Sequence, residues 1–137
     1  MTGVIALNFP FLGRVQALWH TTSTLQEKAF PAWRIAGISF TCTSHLLGSE
    51  NLHDVSDLFL SHGIINPPTS VAAGYERVLF DILYHHLVVR RTPVVGVQRD
   101  DIDDAVDFKL VSRWAKRLHT VGDLAHQDLR SILTWLA

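Results

Sequence analysis

One cysteine, Cys42, is all the thiol chemistry in this chain of 137 residues. That excludes an internal disulfide framework and any cysteine-rich zinc site, which need pairs or quartets of thiols. Within "ISFTCTS" it reads as a small core residue, not a nucleophile. A chain without disulfides suits a reducing compartment, so an intracellular, cytoplasmic setting is expected. Charge is also scarce, at 18% of residues where about 25% is usual. Twelve basic against thirteen acidic residues leave a net charge of -1. No global field draws the protein to nucleic acid or to an anionic membrane. No apolar run reaches the roughly 18 residues of a membrane span. The opening "MTGVIALNFPFLGRVQALWH" has no basic residue before Arg14 and no convincing cleavage site, so it is expected to be mature protein and not a leader. There is no phosphate-binding glycine loop and no G-x-S-x-G, and "SHG" at 61–63 reads as a helix end.

Apolar residues, by contrast, are plentiful: 47% of the chain, with a mean hydropathy of +0.17. The length permits a real hydrophobic core in one domain, 1–137, without metal or disulfide staples. Such a chain cannot hide all of that surface alone. Some of it is expected to face a partner, as in a homo-oligomer or a subunit of a larger assembly.

"VIALNF" reads as a short strand or extended arm, and Leu12 to His20 as a helix; a second helical piece reaches Phe30 before Pro31 stops it. "RIAGISFTCTS" alternates apolar and small hydroxyl residues, which predicts a strand over 35–43. "SENLHDVSDLFLSHG" predicts a helix with Leu52, Val55 and Phe59 inward, and Ser70 to Val89 a longer one. The run Val94, Val95, Val97 after Pro93 predicts a strand over 94–98. Leu110, Val111, Trp114, Leu118 and Val121 trace a helical stripe, ended by Gly122, and Asp123 caps a last helix carrying Leu129 and Ile132. The sum is an α+β domain, mostly helical, with a small sheet. Leu79, Ile82, Trp114, Leu118, Leu129 and Ile132 are the expected core.

The densest chemistry is "DDIDDAVDFKLVSRWAKRLH", residues 100–119, with five aspartates in eight positions. A helix through the whole stretch would place Asp103 and Asp107 on the apolar face, where an unpaired carboxylate is costly. A helix starting late, with Asp107 or an earlier aspartate as cap, avoids that. It also sets acidic residues at the positive end of the dipole and Arg113, Lys116 and Arg117 toward the other. The alternative makes "AVDFKLV" a strand, with Asp107 and Lys109 on one face. An acid-x-lysine strand after another acidic residue, with Glu76 on a preceding helix, resembles the restriction-endonuclease-like nuclease motif. The resemblance covers about 40 residues, has no proline-aspartate pair, and has a short gap from Asp101 to Asp107. It implies Mg²⁺ held by Asp101 and Asp107, with Glu76 in the same site and Lys109 activating water against a nucleic-acid phosphate. The polar turn and helix start are favoured.

Eight histidines raise a metal site. His53 and His62 are nine apart, and His85 and His86, being adjacent, point about 100° apart on a helix. His86 lies on an apolar stripe and reads as a core histidine. The spacings Arg113–His119 and Arg14–His20 resemble those of the HEPN ribonucleases, but neither arginine is followed by the polar residue such sites carry. Trp33 and Trp135 fall off the helical stripes and are candidate interface anchors. No metal and no cofactor is expected outside the nuclease alternative. The expectation is a non-enzymatic protein–protein interaction or structural subunit.

Overall fold

The computed structural model describes Arg14, residues 43–61, Gly63 and residues 71–137. The expected arm at 4–9, the helices before Pro31, Trp33, and the strand at 35–43 apart from Thr43 lie outside those residues. About 60% of what is described is helical, with one small antiparallel sheet, which is the α+β class expected.

In chain order, α1 is Ser44–Leu47, β1 Leu52–Asp54, α2 Ser56–Ser61, β2 Val71–Ala73 and α3 Tyr75–Leu83. A π-helical stretch, Tyr84–Arg90, continues α3 directly; a 3₁₀ turn, Arg99–Asp101, precedes α4 (Phe108–Thr120) and α5 (His126–Leu136). β1 and β2 pair antiparallel with Leu52 opposite Ala73 and Asp54 opposite Val71.

Of the two expected strands, the one at 94–98 is absent. Gly96 takes φ of +83°, so the valine run is broken in its middle before it can pair. The helix expected over 49–62 is shortened to α2. Asn51 adopts a left-handed φ of +52°, Leu52–Asp54 zip onto β2, and the Asp54 carboxylate accepts from Ser56 N–H at 2.9 Å to reset the chain into the helix. Likewise the long helix starts only at Tyr75, after β2 and an extended Gly74.

Every residue of α3 is buried. Around it, α4 buries Val111, Trp114, Ala115 and Leu118, one stripe at helical spacing. Phe80 of α3 meets Trp114 edge-to-face, ring centroids 6.4 Å apart. The 121–125 connection turns the chain back through Gly122, at φ +89°. α5 then lays Ile132 and Leu136 into the same core. Asp123, expected to cap α5, does not; the N-cap is Ala125, with no side-chain bond. No helix among the described residues is long and apolar enough to cross a membrane.

Candidate functional site

Burying all faces of α3 also buries its charges, and these organise the interior. Glu76, in the first turn, is only 4% exposed. Its Oε1 accepts from Arg14 Nη2 at 2.6 Å and from the backbone N–H of Asp107 at 3.1 Å. Its Oε2 accepts from Arg14 Nη1 at 3.0 Å and from the Asn51 carboxamide at 2.9 Å. Arg14 also donates to the Ala105 carbonyl at 2.7 Å and lies over the Tyr75 ring. Burial pushes the Glu76 carboxyl up, but the hydrogen bonds from Arg14 and the Asp107 amide outweigh it and hold the group at about 2. A carboxylate so acidic, with four donors on it, is an anchor and not a general acid or base working near neutrality.

Asn51 completes this anchor at close quarters. Its carbonyl accepts the Gly74 N–H at 2.8 Å, and a Cβ at Gly74 would overlap the Asn51 carboxamide. His53 Nε2 lies 2.7 Å from Asn51 Oδ1. A recess of about 410 Å³ opens beside these groups, with Asp54 and Asp57 on its rim.

A second buried set lies farther along α3. Arg77, 1% exposed, donates through Nε to Thr43 Oγ1 at 3.0 Å and to Asp81 at 3.3 Å. Its Nη1 reaches the carbonyls of Glu50 at 2.8 Å and Gly48 at 3.2 Å. The Thr43 hydroxyl donates to Asp81. One guanidinium thus pins α1 and the turn after it to α3.

Of the four residues named for the nuclease strand, two meet, though not as metal ligands would. The Asp107 amide binds Glu76, but its carboxylate accepts from Lys109 N–H at 2.9 Å and Leu110 N–H at 3.1 Å. Asp107 is therefore the N-cap of α4, and 108–110 is helix, not strand. Lys109 is exposed on that helix. Asp101 sits in the 3₁₀ turn, accepting from Gln98 N–H at 3.3 Å. His86 is half-buried, its ring 5.1 Å from that of His85. Burial pushes both imidazoles down, and the positive charge of Arg90 adds to it. Arg113 is exposed six positions before His119, whose Nδ1 lies 2.8 Å from the Leu124 carbonyl. Among the described residues, no three His, Cys, Asp or Glu side chains gather to hold a metal ion.

The open surface lies on the other side of α4 and α5. A groove of about 840 Å³ runs along them, with Lys109, Arg113 and Lys116 on one wall and Leu133 and Leu136 on the other. A middle depression of about 390 Å³ shares Leu133 and Ala137 with it. That depression in turn shares His126, Arg130 and Thr134 with a third of about 720 Å³, lined by half-buried Trp135 and by Leu87. These three form one continuous face across α5.

Sequence reasoning named Glu76 but missed its partners. Arg14 lies 62 positions away, and nothing local advertises it. The Arg77–Asp81 pair was visible as an i,i+4 spacing, but not its burial. No protein-family model matches the chain, and no curated protein or solved structure matches it either.

Proposed function

We propose that the protein is a non-enzymatic structural subunit that assembles with further copies of itself through the outer face of α5. The observation that supports this reading is Trp135: a large aromatic, half-buried, lining an open depression with Leu87. Tryptophan in such a setting anchors interfaces, because it contributes much contact area for little lost side-chain freedom. The 47% apolar composition points the same way.

Size-exclusion chromatography with light scattering tests it. The wild type is expected to be oligomeric at tens of micromolar, and Trp135→Ala to weaken assembly at least tenfold. Because Trp135 also packs against the core, Thr134→Arg on the exposed surface is the second probe and should have the same effect. A monodisperse wild-type monomer at that concentration overturns the reading. The alternative from another class is a Mg²⁺-dependent nuclease using Glu76, Asp101, Asp107 and Lys109. Metal-dependent cleavage of DNA or RNA that vanishes in Asp107→Ala would put it first.

A further inference from the structure

The acidic turn and the cationic wall of the α4–α5 groove are neighbours on one molecule; among the described residues the wall has no partner, and the turn has only local ones, Asp101 on the Gln98 N–H and Asp100 near Arg99. Lys109, Arg113 and Lys116 are exposed, and their side chains make no hydrogen bond or ion pair among the described residues. They repeat at four- and three-residue steps, so they line one face of α4 over about 10 Å. Asp103 and Asp104 are likewise exposed and make no side-chain hydrogen bond or ion pair among the described residues, whereas Ile102 between the acidic pairs is fully buried and fixes the turn to the core. Asp100 makes only a long contact, 3.7 Å, with Arg99. Arg99 and Val106, at the two ends of the turn, both line the groove. The acidic turn therefore flanks the groove's rim.

We infer that the turn carrying Asp100, Asp103 and Asp104 docks on the Lys109–Arg113–Lys116 stripe of a second copy, with the reciprocal contact made by the first copy's stripe. A two-fold axis brings two such patches together twice over, because whatever residue i of one copy touches, the same residue of the other touches in return. The occupant is a second copy and not another part of the same chain: residues 1–42 hold one acidic residue, Glu27, and residues 64–70 none. The apolar wall of Leu133 and Leu136 suits a protein surface better than a phosphate backbone, and the net charge of -1 supplies no general attraction for nucleic acid. This inference rests on self-association through α5, since the groove and the Trp135 depression belong to one face. The charges fix the orientation of that contact and exclude wrong ones.

Charge reversal tests it by sedimentation or light scattering. Lys109→Glu/Arg113→Glu and Asp103→Lys/Asp104→Lys change only exposed side chains, so each variant should fold. Each is expected to raise the dissociation constant at least tenfold. An equimolar mixture should recover wild-type assembly, because both reciprocal contacts then become attractive again. Raising salt from 0.1 to 1 M shortens the screening length from about 10 to about 3 Å and should weaken the wild type severalfold but not the separately reversed variants. If the wild type assembles and Trp135→Ala disrupts it while neither reversal matters, the charge contact is overturned and self-association stands. A wild type monomeric at every salt concentration overturns both. A labelled thymidine oligonucleotide bound by the wild type and lost in Lys109→Glu/Arg113→Glu, with assembly unchanged, reassigns the stripe to nucleic acid and overturns the inference.

Discussion

Charges in α3 and charges on the outside of α4 meet opposite fates, though both stand among apolar residues in the sequence. Glu76, Arg77 and Asp81 are buried, and each is ion-paired. Lys109, Arg113 and Lys116 stand in water, pairing with nothing among the described residues. The inner set is tolerable only because its donors and acceptors are matched; deleting one partner strands the other in a poor dielectric. The outer set contributes almost nothing to the fold and is left available for association. The same residue types thus fasten the interior in one place and present a surface in the other.

The contrast is broken or sharpened most directly at Arg77. Arg77→Ala removes the cation buried beside Asp81 and strips the Glu50 and Gly48 carbonyls of their donor, and should cost about 3–5 kcal/mol in urea unfolding, as much as cutting the neighbouring core residue in Ile82→Ala at about 2–5 kcal/mol. A loss below 1 kcal/mol would show that the inner charges are not fasteners. Next comes acid. The Glu76 carboxyl is held at about 2 against an ordinary 4.5, so its stabilisation is fully present above pH 4.5 and lost as pH falls through 2. The difference is on the order of 3 kcal/mol, and Glu76→Gln should flatten the stability profile across that window. Asp107→Ala removes the cap of α4 but leaves its backbone amide on Glu76, so about 1 kcal/mol is expected. Smallest of all, Lys116→Ala should shift stability by less than about 0.5 kcal/mol.

Those expectations also mark what the sequence made legible. α4, its cap and its stripe through Leu118 were readable because a carboxylate at the right place precedes thirteen residues of helix, though Val121, expected to end the stripe, is the exposed C-cap. Leu79, Ile82, Trp114, Leu118 and Ile132 are buried as expected, and Leu129 is half-buried. The paired strands were not readable. Three residues are too few to show alternation, and Leu52 falls into apparent helical register with Val55 and Phe59. What overrides that register is a backbone event, the left-handed Asn51, held by hydrogen bonds to Gly74 and Glu76 from elsewhere in the chain. The ionic anchor was half-readable: a glutamate can be named, but its arginine is distant in the chain. On α5 the sequence pointed to no more than Trp135, since a groove is a property of two packed helices.

The π-helical stretch after α3 bears on how the chain can change length. From Tyr84 to Arg90 the backbone winds wider than an α-helix and so contains a surplus residue, before Arg91 closes it at φ +56° with its N–H on the His86 carbonyl. Losing one residue here lets the segment relax to ordinary α winding while both ends stay near their places. Losing one inside α3 would rotate every later residue by about 100° and swing Phe80, Ile82 and Leu83 off their fully buried positions. Deletion of Val89 should therefore leave a cooperative thermal transition, and deletion of Leu79 should abolish it. The molecule carries its slack in length at the end of its most tightly fastened helix.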